Sequence, residues 1–248
     1  MPNIILLASE HVAALPVSRA LGRAACALGK GEGPFLNPKL SPNEDSVFIV
    51  ERREQLLVGV ADSHFGHQAG ERLVRNLLKQ VEGAWPSDSA SLREAVLRAD
   101  EQGAQRVHDR SESTFLVALV AGNAVHWVSI ADSVLWLVTA DGIRELNTPT
   151  SVFGGGKLSL RVQQQHPAAA GIDLAAHGTI GCSRGDVLLL CSDGILEEAS
   201  GVLMGEVGAA ARRAGSLVER TAALALRACR RDQGGGRDNV GIVAVEFA

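Results

Sequence analysis

The stretch Thr114–Leu146, TFLVALVAGNAVHWVSIADSVLWLVTADGIREL, decides the fold. Two apolar runs, Thr114–Ala121 and Ala124–Ile130, flank Gly122-Asn123, a dipeptide suited to a two-residue hairpin turn. Two further runs, Leu135–Thr139 and Ile143–Leu146, flank Ala140-Asp141-Gly142, which predicts a second hairpin. Consecutive hairpins make neighbouring strands antiparallel, so a doubly wound parallel sheet is excluded.

Working outward, Ser46–Val50 and Gln55–Ala61 read as strands around the charged tip Glu51-Arg52-Arg53-Glu54. Asp186–Ser192 reads as a buried strand and Val240–Phe247 as the last one. Gly66–Val81 carries Leu73, Val74, Leu77 and Leu78 at helical spacing. A second helix is expected from Ser91, where Ser91-Leu92-Arg93-Glu94 matches a capping box, to about His108. A third is expected over Glu206–Arg231, with Arg212, Arg213, Arg220, Arg227, Arg230 and Arg231 read as a solvated face, a docking site for an acidic partner being the alternative. Residues 1–30 are compatible with a helix, a strand or an N-terminal appendage. Residues 147–180 are irregular, contain Gly154-Gly155-Gly156, and read as a flap over a site. The expected architecture is a single α+β domain over residues 1–248, antiparallel sheets with helices packed outside.

Composition narrows the function. The chain has 248 residues, 46% of them hydrophobic, and a net charge of -4 from 24 Lys+Arg against 28 Asp+Glu. That balance argues against a dedicated nucleic-acid binder, which carries a basic face. Cys26, Cys182, Cys191 and Cys229 form no CxxC pair, and buried reduced thiols are expected. No run reaches the roughly 18 apolar residues of a membrane span, and the N-terminus lacks a basic leader. A cytoplasmic protein is the expectation.

The chemistry lies in the placement of aspartates. Asp45 precedes a strand, Asp62 and Asp132 each follow one, Asp193 ends the run Val187–Ser192, and Asp238 precedes the last strand. A carboxylate at a strand end is an ordinary turn or cap residue when taken singly. Five together, brought to one edge by two packed sheets, would repel one another unless cations intervened. Oxygen ligands favour Mg²⁺ or Mn²⁺ over zinc. His64 and His67 leave a zinc alternative open beside Asp62, although their spacing does not suit one.

In this order the motifs resemble those of the metal-dependent protein phosphatases of type 2C. Asn43-Glu44-Asp45-Ser46 is similar to the family's Asn-Glu-Asp, and Asp62-Ser63-His64-Phe65-Gly66-His67 to its Asp-Gly-His-Gly-Gly. Ala131-Asp132-Ser133 resembles Gly-Asp-Ser, Ser192-Asp193-Gly194-Ile195 resembles Ser-Asp-Gly-hydrophobic, and Arg237-Asp238-Asn239-Val240 resembles the closing Asp-Asn. The resemblance implies a four-layer α/β/β/α sandwich and hydrolysis of phosphoserine and phosphothreonine in proteins. It implies two Mn²⁺ or Mg²⁺ ions held by Asp62, Asp193 and Asp238, with Glu44 and Asp45 at the metal site and the Ser63 carbonyl as a further ligand. Asp132 matches an acid that holds a third ion. A metal-activated water would attack phosphorus, and His64 would protonate the departing oxygen. A phosphoprotein made by a serine/threonine kinase is the implied substrate, in bacterial signalling, and a monomer is expected.

Three departures mark this chain. Leu40 stands where the family often has a phosphate-clamping Arg, leaving neighbouring Lys39 as the candidate phosphate contact. Ser63 and Ala131 replace glycines, which asks whether the backbone at each tolerates a Cβ. A phosphatase-like module that binds a phosphorylated partner without turnover, or a hydrolase of small phosphate monoesters, are the alternatives.

Overall fold

The computed structural model describes residues 1–13, 15–31, 41–104, 111–147, 175–195, 207–211, 213–229 and 238–248. Strands β1 (Asn3–Leu6), β2 (Val17–Leu21) and β3 (Ala24–Gly29) come first, then β4 (Asp45–Arg52) and β5 (Gln55–His64). Helices α1 (Gln68–Gly83) and α2 (Ser89–Ala104) follow. Next are β6 (Glu112–Ser113), β7 (Phe115–Ala121), β8 (Ala124–Ile130), β9 (Val134–Thr139), β10 (Gly142–Glu145), β11 (Ala175–Gly181) and β12 (Val187–Cys191). Helix α3 (Leu217–Cys229) and β13 (Val240–Glu246) complete the set.

One sheet runs β1-β4-β5-β7-β8-β11, with β6 pairing onto β5; the other runs β10-β9-β12-β13-β3-β2. The neighbours are antiparallel, as the hairpins predict. An apolar layer of Val47, Val58, Val60, Leu116 and Ala118 from the first sheet meets Cys26, Leu135, Leu188, Leu190 and Val243 from the second. The outer face of the first sheet packs on Leu73, Val74 and Leu77 of α1 and Leu92 and Val96 of α2. The outer face of the second packs on Leu224, Ala225 and Ala228 of α3. The layers are therefore helix, sheet, sheet, helix. Both faces of each central strand are buried, and this accounts for their continuous apolar sequences. No helix among the described residues is long and apolar enough to cross a membrane.

Several local expectations are corrected. Residues 1–30 are no appendage: β1 pairs with β4, and β3 lies between β13 and β2 with all six residues buried. The β4–β5 turn is Arg53-Glu54 alone, both at positive φ (50° and 65°), which matches the twist of the strands. The β9–β10 turn is Ala140-Asp141, because Gly142 already pairs with Thr139. Helix α2 starts at Ser89, since Asp88 rather than Ser91 caps it. Asp88 Oδ1 accepts the Ser91 N–H at 2.8 Å while Ser91 Oγ accepts the Asp88 N–H at 3.1 Å. The reach of this helix to His108 lies outside the described residues.

The expected third helix is interrupted. Residues 207–211 are helical, residues 213–216 are not, and α3 begins anew at Leu217. Ser216 and Glu219 form a capping box there, with Ser216 N–H to Glu219 Oε2 at 2.9 Å. Arg220 is not solvated but 8% exposed, donating to the carbonyl of Ala211 and to Glu246 at 2.9 Å. Of the expected flap, residues 175–180 belong to β11 on β8 and Asn147 is buried; the rest lies outside the described residues.

Candidate metal centre

Antiparallel pairing of β4 with β5 sets Asp45 directly opposite Asp62. Like charges facing each other across a sheet are unfavourable, so each must be offset by other groups. Asp45 Oδ2 accepts the Ser192 hydroxyl at 2.6 Å. Ser192 follows β12 in the other sheet, where its Oγ accepts the Gly241 N–H at 2.8 Å and its own N–H meets the Gly241 carbonyl at 2.9 Å. This serine fastens the start of β4 to β13 and sets where the next residue, Asp193, must lie. Gly194 continues the turn so close to β13 that a Cβ would fall 1.9 Å from the Asn239 carbonyl oxygen. Only glycine fits.

Asp132 arrives from the β8–β9 turn. Thr114 N–H donates to the Asp62 carbonyl at 2.8 Å, and the Thr114 hydroxyl meets the Ser133 hydroxyl at 2.7 Å. Asn147 secures the same turn: its Nδ2 donates to Ser133 O and Ser129 Oγ, and its Oδ1 accepts the Leu135 N–H. All three groups of bonds are buried, where a satisfied network specifies one geometry.

The outcome is a cluster. One carboxylate oxygen each from Asp62, Asp132 and Asp193 lie within 4.8 Å of one another. The three Oδ1 atoms are buried and meet no hydrogen-bond donor, although each residue keeps another interaction. Asp62 ends a strand of the first sheet, Asp193 follows a strand of the second, and Asp132 lies in the turn that joins the two. An all-carboxylate set fits a hard divalent cation such as Mn²⁺ or Mg²⁺. Among the described residues this is the one group suited to a metal, and neither His64 nor His67 belongs to it, so the zinc alternative gains no support.

The other expected residues surround the cluster without joining it. Glu44 is buried; its Oε1 accepts the Gly66 N–H at 2.6 Å and its carbonyl accepts the Ser63 N–H at 3.2 Å. Its own N–H donates to Asn239 Oδ1, while Asn239 Nδ2 reaches the carbonyls of Lys30 and Pro42. Asp238 Oδ1 accepts the Asn239 N–H at 2.7 Å. Ser63 is an ordinary strand residue whose Oγ accepts the Gly70 N–H at 3.1 Å, so its Cβ is accommodated. Ala131, by contrast, holds φ at +70°, and the conformational question falls there. His64 is half-buried, with Nδ1 2.9 Å from the Ser63 carbonyl. His67 sits at the start of α1, its Nδ1 2.9 Å from Ser41 Oγ. Lys39 and Leu40 lie outside the described residues.

Sequence reading quoted Ser192 and Asn239 within motifs without giving them a role, and missed Asn147 and Thr114; all four touch the acids or their turns, the last two signalled only as polar residues flanking apolar strands. It also missed Glu112, cross-strand partner of His64, whose carboxyl burial pushes above the usual range.

Comparison with known proteins agrees with this geometry. No protein-family model matches the chain. It is 27% identical over 233 residues to a serine/threonine phosphatase stp of Listeria welshimeri serovar 6b, covering 82% of this chain and 90% of that one. The PPM Ser-Thr phosphatase MsPP from Mycobacterium smegmatis, solved with cacodylate, superposes with a TM-score of 0.65 at 24% identity, covering 91% of this chain and 98% of that one. The catalytic domain of the phosphatase PstP, solved with two manganese ions, gives 0.65 at 23% identity, covering 93% and 98%. The chain has the fold of the PPM serine/threonine phosphatases and is similar in sequence, over most of its length, to one of them.

Proposed function

We propose that the protein hydrolyses phosphoserine and phosphothreonine in other proteins with the help of bound divalent cations. The convergence of Asp62, Asp132 and Asp193 at the junction of the two sheets is the observation that carries this reading. Asp62 and Asp193 would hold two ions together with Asp238, Glu44, Asp45 and the Ser63 carbonyl, and Asp132 would serve a third. Manganese is favoured over magnesium by the two manganese ions of the PstP domain. Bound ions would offset the charge of the phosphate dianion and lower the pKa of water.

The remaining work falls to the chain itself. Ser192, Thr114, Asn147 and Asn239 hold the acids and their turns in place, so little reorganisation is needed when substrate arrives. A carbonyl can only accept, so the contact with Ser63 O fixes the proton of His64 on Nδ1. That leaves Nε2 to carry the exchangeable proton, which His64 would give to the departing serine or threonine oxygen. The substrate would be a phosphoprotein made by a serine/threonine kinase, met in the cytoplasm by a monomeric enzyme.

Phosphate release from a phosphothreonine peptide, with Mn²⁺ and separately with EDTA, tests the proposal. Release that needs Mn²⁺ and is absent from the Asp193→Asn protein is expected. No release from a protein that binds Mn²⁺ would overturn it.

A further inference from the structure

The loop between β5 and α1 holds a residue that the chemistry above does not use. Phe65 is 60% exposed, the one aromatic ring so open among the described residues. Its φ is +59°, a conformation that a bulky side chain rarely adopts, and Gly66 follows at +117°. Neither property helps the fold. A single exposed aromatic is ordinary on its own, but strain at the same residue is not, and such strain persists where the surroundings over-determine the backbone.

Here they do. Glu44 holds the loop at two points, through its carbonyl to the Ser63 N–H and through Oε1 to the Gly66 N–H at 2.6 Å. His67 is fixed to Ser41 just beyond. The ring of Phe65 stands edge-on to that of His64, with centroids 6.2 Å apart and planes at 72°. Phe65 is three residues from Asp62, so the chain keeps its Cα within about 11 Å of the Cα of that member of the carboxylate cluster. An apolar ring is therefore presented to solvent beside an acidic centre, on backbone anchored by one of the buried acids.

We infer that Phe65 determines specificity: it packs against an apolar side chain next to the phosphorylated residue of the substrate. The inference rests on the phosphatase reading. A phosphate at the acidic centre brings the neighbouring residues of its own chain within reach of Phe65, and covering the ring with an apolar group removes both surfaces from water.

The test uses two phosphothreonine peptides of equal charge, with Leu or Gly on either side of the phosphothreonine, and non-hydrolysable phosphonate versions of both. Turnover with Mn²⁺ and binding of the phosphonates by calorimetry are compared for wild type, Phe65→Gly and Phe65→Leu. Wild type should prefer the Leu peptide about tenfold in kcat/KM and in affinity, with the difference in KM rather than kcat. Phe65→Gly should reduce that ratio to about twofold or less while raising Tm, and Phe65→Leu should keep most of it. Turnover with no preference, or a preference that Phe65→Gly retains, overturns the inference and leaves the phosphatase reading intact. Binding with the Phe65-dependent preference but no turnover does the reverse. Sedimentation of wild type as a dimer that Phe65→Gly dissociates would assign the ring to a second copy of the chain and also overturn the inference.

Discussion

The Ser192 hydroxyl donates to Asp45 Oδ2 at 2.6 Å, and this bond joins the two sheets at the edge where the acids gather. The same oxygen accepts the Gly241 N–H, so its one proton and an acceptor position are both committed. Ser192→Ala removes both bonds and leaves a buried carboxylate oxygen without its hydroxyl donor. A loss of about 2–3 kcal/mol is expected. Urea unfolding should show it as a lower midpoint at unchanged slope.

Three aspartate oxygens held within 4.8 Å are mutually repulsive when no cation is present. Asp193→Asn should thus raise Tm in EDTA while abolishing turnover. Added Mn²⁺ should raise the Tm of wild type, by about 2.7 kcal/mol of stability at a hundred times Kd, and leave the variant nearly unmoved. Equal responses of the two proteins to Mn²⁺ would remove Asp193 from the metal site.

Ala131 at φ +70° keeps a Cβ in the left-handed region just before Asp132. Ala131→Gly relieves that clash, and a gain of about 1 kcal/mol is expected. Thermal unfolding in EDTA isolates the effect from metal binding.

His64→Ala should slow hydrolysis of a phosphothreonine peptide, whose alkoxide leaves badly, more than that of nitrophenyl phosphate, whose phenolate leaves without help. Losses of equal size on the two substrates would count against a proton donor at this position.

Burial pushes the Cys26 thiol from its ordinary 9.0 up to about 12 and Cys182 up to about 11, and raises Cys191 as well. For an acid with a raised folded pKa, the unfolded chain loses its proton first. Stability from these thiols is whole below pH 9 and declines as pH climbs from there towards 12. Urea midpoints at pH 7.5, 9 and 10.5 should fall in that order, and a thiol reagent at pH 8 should react only with unfolded protein.

The elements legible in the sequence were those whose chemistry is local. The pair β7–β8 announces itself by apolar runs around Gly122-Asn123, and β4–β5 by charges at its tip. Strand β3, Ala24–Gly29, did not, because an Ala- and Gly-rich strand buried on both faces shows neither alternation nor β propensity. Strand β11 contains two glycines and alternates only weakly, so it passed for loop. Asp62, Asp132 and Asp193 were readable because charge at a strand end follows a simple rule, whereas Ser192 and Asn147 act through partners many residues away. The strain at Ala131 was readable as a residue standing in a glycine's place, whereas that at Phe65 is a backbone angle that the side chain's name did not reveal.

Because Asp62 rides on one sheet, Asp193 on the other and Asp132 on the turn between them, the cluster measures how the sandwich is aligned. A slip of one residue between the layers, about 3.3 Å, is comparable with the whole spread of the three oxygens. Substitutions in the interlayer core, such as Val60→Ala or Leu190→Ala, would consequently show in metal affinity before they show in loss of fold. The acids act as a vernier for packing far from any substrate.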